Sequence, residues 1–298
     1  MRMKAEALRG LLLICFTMLM LSGPGCGVYR WYSTPTPAPT PTATATPSPS
    51  PTPYPTLRPT LTPEPPDTGW QPLLPGVELR QMNVEDGPVT ERVIIVRLDP
   101  EIARFRVHYD PVRPLPVSGW ATLLEAPLVV NGGYFTPENE TAGLLVSQGH
   151  TWGRPYGDFA GMFAVTADGK VSVRWLRLQP YDPNEPLQEA IQSFPVLVKP
   201  GGVMGFPADA DDGRPARRTV VAQDRQGDVL FIAAPRGYLS LHKLAVFLSS
   251  SDLNLDIALN LDGGYSTGMW LETVSRSVQI DSLVPVPSVI SVELPAAP

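Results

Sequence analysis

Two stretches of the chain end an apolar run on a polar side chain and follow it closely with paired glycines: Val129-Val130-Asn131-Gly132-Gly133 and Asn260-Leu261-Asp262-Gly263-Gly264. Glycine pairs let the backbone take a positive φ and let a ligand approach closely, so each polar residue is expected at the floor of a cleft. Asp262 is then a carboxylate placed to act as nucleophile, as base for water, or as support for a developing positive charge. Asn131 is an amide placed to hydrogen-bond a substrate or to orient that carboxylate. The third element is Arg217-Arg218-Thr219-Val220-Val221-Ala222, an arginine entering an apolar strand. Such an arginine is costly to bury unless its guanidinium meets an anion, which is either a structural carboxylate or a ligand. Glu138, Glu140 and Asp158 are second carboxylates or loop surface, and His150 and His242 are acid–base groups or structural ones. Trp152, Tyr156 and Trp270 form a sugar platform or belong to core and rim. Asp209-Ala210-Asp211-Asp212-Gly213 has part of a calcium-loop pattern, but Val220 stands where an EF-hand needs glutamate. It reads as a solvated acidic loop; no metal and no cofactor are assigned.

The elements that must position these groups are mostly strands. Residues 93–98, 105–109, 128–130, 194–198, 219–222, 229–233, 256–261 and 284–292 have strand character. Residues 161–166 and 170–178 flank Ala167-Asp168-Gly169, a hairpin signal. Ser118 is expected to cap a short helix through Glu125. Ser240 opens a helix over 241–250 whose Leu241, Leu244, Ala245 and Leu248 share one face. Strands dominate, with two or three helices, which predicts an α+β domain built on mixed sheets.

Composition limits what the domain does and where it starts. Thirteen of the 36 prolines of this 298-residue chain fall in residues 34–66, which alternate Thr or Ser with Pro and offer almost nothing apolar to bury. Residues 27–66 therefore read as an extended, disordered Thr/Pro-rich stalk, and 67–298 as one globular domain. Residues 1–66 hold five basic and two acidic residues, leaving 18 basic against 27 acidic beyond them. A domain that acidic, with no basic run, is a poor nucleic-acid binder. Arg2, Lys4 and Arg9 precede an apolar run of about 11 residues, 11–21, then small residues and Cys26. That order is a secretory signal, too short for the roughly 20 residues of a spanning helix. The uncleaved alternative is a membrane anchor. Cys26 after small residues resembles a bacterial lipoprotein processing site, so 1–26 is read as a signal ending at a lipidation site, on an exported, membrane-anchored protein of the cell envelope. No cysteine follows Cys26, so the domain has no disulfide, zinc-thiolate site or cysteine nucleophile.

In order along the chain, Asn131-Gly132-Gly133-Tyr134-Phe135, Arg218-Thr219 followed by residues 224–227, and Asn260-Leu261-Asp262-Gly263-Gly264-Tyr265-Ser266-Thr267 resemble the three signatures of the phosphodiester glycosidase domain. The resemblance runs from about residue 93 to 294. It implies hydrolysis of a sugar-1-phosphodiester, or a related surface glycan linkage, at the glycosidic carbon. Asp262, Asn131 and Arg218 would be the catalytic residues. Gly132, Gly133, Tyr134, Thr219, Gly263, Gly264, Tyr265, Ser266 and Thr267 would be the substrate-binding ones. Tyr265 departs from the family, which usually has glycine there; a tyrosine would narrow the cleft or stack on a sugar. Two other readings are a stalked, non-catalytic glycan-binding module and a hydrolase of other phosphate esters. The N-terminal reading is checked by intact mass of membrane-extracted protein: a chain starting at lipid-modified Cys26 is expected, with Cys26→Ala losing membrane retention.

Overall fold

The computed structural model describes residues 65–294. The signal, Cys26 and the tract up to residue 64 lie outside them. Three sheets account for the strands. The first runs β1 (Gln71–Leu74), β2 (Val77–Asp86), β3 (Val89–Leu98), β14 (Val229–Ala234), β13 (Arg218–Asp224), β15 (Leu255–Asn260), β11 (Val196–Lys199) and β12 (Val203–Met204). The second runs β7 (His150–Trp152), β6 (Leu145–Ser147), β10 (Leu187–Ser193), β8 (Gly161–Thr166) and β9 (Val171–Trp175). The third runs β17 (Ser277–Ile280), β16 (Met269–Glu272), β5 (Leu128–Asn131), β18 (Ser288–Glu293) and β4 (Arg104–Tyr109). Two α-helices, α1 (Val117–Leu124) and α2 (Leu241–Ser250), complete the α+β, strand-rich domain.

Mixed sheets were expected, yet the strand pairings among the described residues are antiparallel. Parallel neighbours need long crossovers, usually helical, and the chain spends its two helices elsewhere. Each helix covers the outer face of a sheet. Along β14 the side chains alternate between two cores: Phe231 and Ala233 face inward, while Leu230, Ile232 and Ala234 face outward. On that outer face lie Leu244, Ala245 and Leu248 of α2. This two-sided burial is why the strands read as continuous apolar runs. Burying each leucine, isoleucine or phenylalanine among them contributes about 1.5–3 kcal/mol. Inside, one phenylalanine from each sheet meets the other two: Phe105, Phe163 and Phe231 have ring centroids 5.8, 6.2 and 6.4 Å apart.

The caps divide. Ser240 accepts from the Lys243 N–H as expected. Ser118 does not cap α1, which begins at Val117 after Pro116 with no side-chain cap of its own. Instead the carboxylate of Asp281 takes the Ser118 N–H (2.9 Å) and hydroxyl, and the Ser282 hydroxyl takes the Val117 N–H (3.2 Å). The orphan donors of the first turn are thus satisfied from far along the chain.

β5 carries the first glycine pair. Leu128 and Val130 face the inner core, and Val129 faces Trp120 and Ala121 of α1. Neither Gly132 nor Gly133 has a positive φ, contrary to expectation. A side chain is excluded by packing: a Cβ on Gly132 would fall 2.3 Å from Ser288 Oγ and 3.0 Å from Ser288 O. Gly132→Ala is expected to destabilise the domain by roughly 1–3 kcal/mol through this overpacking. Adding Ser288→Ala should recover only part, because the backbone oxygen stays. Urea denaturation of the single and double variants measures both.

Candidate functional site

The two glycine turns meet, although they leave different sheets. β5 ends at Asn131 in the third sheet, and β15 ends at Asn260 in the first. Asn131 Nδ2 donates to the Asp262 carbonyl at 2.8 Å and the Gly132 carbonyl at 3.2 Å. Asn131 Oδ1 accepts from Thr219 Oγ1 at 2.7 Å and from the Gly268 N–H at 3.0 Å. Two donors and two acceptor sites are all an amide has, so this fully buried side chain has nothing left for a substrate. Backbone bonds complete the junction. Asp262 N donates to Gly132 O (3.2 Å), Leu261 N to Thr219 O (2.9 Å) and Gly264 N to Arg217 O (2.7 Å). The arginine strand and both turns therefore form one hydrogen-bonded unit.

Asp262 is the ionisable group this unit presents. Loss of water raises its carboxyl to about 6, against the opposing pull of the Ser266 hydroxyl and the Gly263 N–H, which donates to Oδ1 at 2.8 Å. Arg218 runs alongside, its Cδ lying 3.7 Å from where a Gly263 side chain would start. One guanidinium nitrogen donates to Arg214 O at 3.0 Å, while buried Nε has no partner. Among the described residues Arg218 makes no carboxylate ion pair. Burial pushes its pKa down, opposed by Tyr134, Asp211 and Asp212, yet a guanidinium stays protonated. The result is a desolvated cation and a desolvated carboxylate on neighbouring segments.

Aromatic side chains line the same place. The Tyr134 hydroxyl accepts from Asn260 Nδ2 at 2.8 Å, and its ring lies 4.8 Å from that of Phe194. Burial first, then the Asp262 charge, drive its phenol well above the usual range. The same two causes raise Tyr156, whose ring stands edge-on to Phe194 at 5.3 Å, with Phe159 beside both. Asn260, Phe194 and Phe159 were not among the sequence candidates. Their signal was only indirect: Asn260 opens the second motif, and Phe194 precedes Pro195 in a cis peptide.

The other candidates take varied places. Thr219, expected on the substrate, is buried with its hydroxyl on Asn131; Gly132 and Gly133 are buried as well. The N–H groups of Gly263 and Gly264, expected among the substrate-binding residues, are held by Asp262 Oδ1 and Arg217 O. Gly264 alone of the four paired glycines has a positive φ, +61°. Ser266 faces Asp262, Thr267 is buried with its hydroxyl unpartnered, and Tyr265 is 70% exposed at the rim. Glu138 and Glu140 are exposed, and Asp158 lies 4.0 Å from Arg177. His150 is exposed, and His242 meets Phe206 O from α2. Trp270 packs on α1, and Trp152 lies beside Tyr109. Among the described residues no group of three or more metal-ligating side chains forms.

The phosphodiester glycosidase family model matches residues 125–293, which span both glycine turns and Arg218. Among solved structures, the catalytic domain of zebrafish N-acetylglucosamine-1-phosphodiester alpha-N-acetylglucosaminidase, auto-inhibited by its pro-peptide, is similar with a TM-score of 0.59 and 18% identity, over 76% of this chain and 85% of that one. A hypothetical protein from Synechocystis is similar with a TM-score of 0.51 and 17% identity, over 74% of this chain and 62% of that one. A putative exported protein from Burkholderia pseudomallei follows at 0.48 and 14%, over 68% and 74%. At these identities the likeness to the first two is one of fold. No curated protein matches the chain.

A carboxyl raised by burial to about 6 favours its protonated form in the folded state. Its contribution to stability is therefore full below the unfolded value near 4 and is lost as pH rises through 6. Asp262→Asn keeps the shape without the charge. It is expected to stabilise the domain by roughly 2 kcal/mol at pH 7, with the gain vanishing below about pH 4. Urea denaturation across pH tests this.

Proposed function

The chain belongs to the phosphodiester glycosidase family, and on that premise we propose that it is an exported hydrolase cleaving a sugar-1-phosphodiester at the glycosidic carbon. The observation that carries the reading is that desolvated Asp262 and Arg218, which has no carboxylate partner among the described residues, stand on one hydrogen-bonded junction and both act on the Tyr134 phenol.

The reaction breaks the bond between the sugar's anomeric carbon and a phosphate oxygen. The phosphate ester departs as a stable anion, so it needs less protonation than an alcohol, which relaxes the usual demand for two carboxylates. What remains is to support an oxocarbenium-like sugar and to hold the departing charge. Asp262 serves the first task as nucleophile or as base for water; its charge acts strongly because the site is desolvated. Arg218 serves the second, offering buried Nε to a phosphate oxygen. Tyr134 accepts from Asn260, which leaves its own O–H free to donate to the same leaving group. Asn131 is a positioning residue that fixes the Asp262 backbone. Tyr156 and Phe194 wall the sugar. The N-terminal signal and Cys26 support an anchored protein at the cell envelope, its partner a surface glycan phosphodiester.

Two variants separate the roles. Asp262→Asn should lower turnover of a sugar-1-phosphodiester by about 10²–10⁴ with little change in binding. Wild-type kcat should rise with pH through about 6 as Asp262 ionises. Arg218→Lys keeps the charge but loses the planar fork. It should lose about 10–100-fold on the phosphodiester, and far less on an activated aryl glycoside. Equal losses on both substrates would remove Arg218 from the phosphate. Binding without release of reducing sugar would make the domain a glycan-binding module.

A further inference from the structure

We infer that the cleft between Tyr109, Glu138, Glu140 and Trp152 is a second saccharide subsite, binding an uncharged or amino sugar on the glycone side of the scissile bond. Resting on the phosphodiester reading above, this makes the substrate an oligosaccharide-1-phosphodiester.

The cleft has a volume of about 470 Å³ and is lined also by Val112 and Thr141, within the ordinary range of small-ligand sites. Its apolar wall is open to solvent: Trp152 is 38% exposed and Val112 85%. The wall is also fixed. Trp152 packs edge-on to Tyr109 with centroids 5.5 Å apart. The Tyr109 hydroxyl accepts from the Thr141 N–H at 3.1 Å and donates to Asn139 O at 3.4 Å. Asn139 stands in the left-handed region, φ +65°, and turns the loop between Glu138 and Glu140. Both carboxylates are exposed, and neither makes an ion pair among the described residues. A rigid aromatic face suits the C–H face of a sugar, and acceptor-only carboxylates suit its hydroxyl or ammonium donors. The same two charges repel phosphate, which assigns the cleft to the sugar side.

The cleft shares a chain segment with the surroundings of Asp262. A Cβ on Gly153 would fall 2.1 Å from Gly143 O, and one on Gly143 would fall 2.4 Å from the Tyr156 ring. Residues 152–156 are thus pressed along 141–143. Trp152 and Tyr156 are four residues apart, at most about 14 Å even fully extended. Tyr156 already feels the Asp262 charge. The segment 152–156 therefore carries one aromatic that lines the cleft and one that senses the carboxylate.

The test compares glucosamine-disaccharide and monosaccharide 1-phosphodiesters on the full chain. The disaccharide should have at least about 10-fold higher kcat/KM, equivalent to one well-made contact set. Trp152→Ala should bring it down to the monosaccharide value, and Glu138→Gln with Glu140→Gln should lower it in between. Equal wild-type values, or equal loss on both substrates in Trp152→Ala, would overturn the subsite. If wild type turns over neither, the phosphodiester reading fails, and the subsite is judged by tryptophan fluorescence alone. Saturable quenching by glucosamine trisaccharide, lost in Trp152→Ala and absent with oligogalacturonate, upholds it. No quenching, or quenching by the anionic sugar, overturns it.

Discussion

The structure depends on one amide. Asn131 sits where an inner strand of the third sheet runs into the first sheet, and its four hydrogen-bonding positions go to Gly132, Asp262, Thr219 and Gly268. These partners belong to both glycine turns, to the arginine strand and to the approach to β16. The side chain is fully buried, so none of its bonds competes with water, and an unmade bond there would cost more than a surface one gains. Aspartate would offer no donor for the two carbonyls, and a longer side chain would not fit between them. The position of the Asp262 backbone is therefore set by a buried group with no hydrogen-bonding position left for a ligand.

That division has an energetic logic. A carboxylate exposed to water would be easy to hold but would act weakly on a developing cation. Asp262 is desolvated until its carboxyl rises to about 6, which destabilises the fold at neutral pH. The offset comes from elsewhere: three phenylalanines from three sheets at the centre, and outer faces covered by α1 and α2. Ser266 and the Gly263 N–H limit the shift, so the group still ionises near neutrality.

Much of this was legible in the sequence, and the rest was hidden for identifiable reasons. Strands buried on both faces, such as β13, β14 and β15, announce themselves as apolar runs, and the Ser240 cap is local chemistry. The ordered motifs identified the family. β2 was missed because Val77–Asp86 mixes polar and apolar residues on a face only half-buried. The Ser118 cap failed because Asp281 supplies the acceptor from far along the chain, which no local pattern contains. That the two turns leave different sheets is a long-range fact that no local pattern contains. Glycine's positive φ was the natural inference from Gly132-Gly133, but the cause is Ser288 packed against that backbone, a tertiary fact. Tyr156 and Phe194 join Asp262 only after folding.

The paired arginines show where the sequence stops and the fold takes over. Arg217 and Arg218 are chemically identical, and nothing in their neighbours says which one faces a ligand. Adjacent residues at a strand start point to opposite sides, so their surroundings must differ. The Arg217 guanidinium donates to Asp281 O at 2.9 Å, and Asp281 caps α1. Its own carbonyl holds the Gly264 N–H and crowds the Gly263 position at 2.9 Å. Arg217 therefore ties the helix on the third sheet to the second glycine turn. Arg218, one residue on, has a single backbone acceptor in Arg214 and lies along Gly263. A lysine at 217 would keep the charge that Asp281 and Glu91 favour but lack the guanidinium nitrogen that bonds Asp281 O. At 218 the guanidinium makes that one backbone bond and keeps a buried Nε without a partner. The two neighbours thus divide the work: one arginine builds the turn, and the other is left free at its edge.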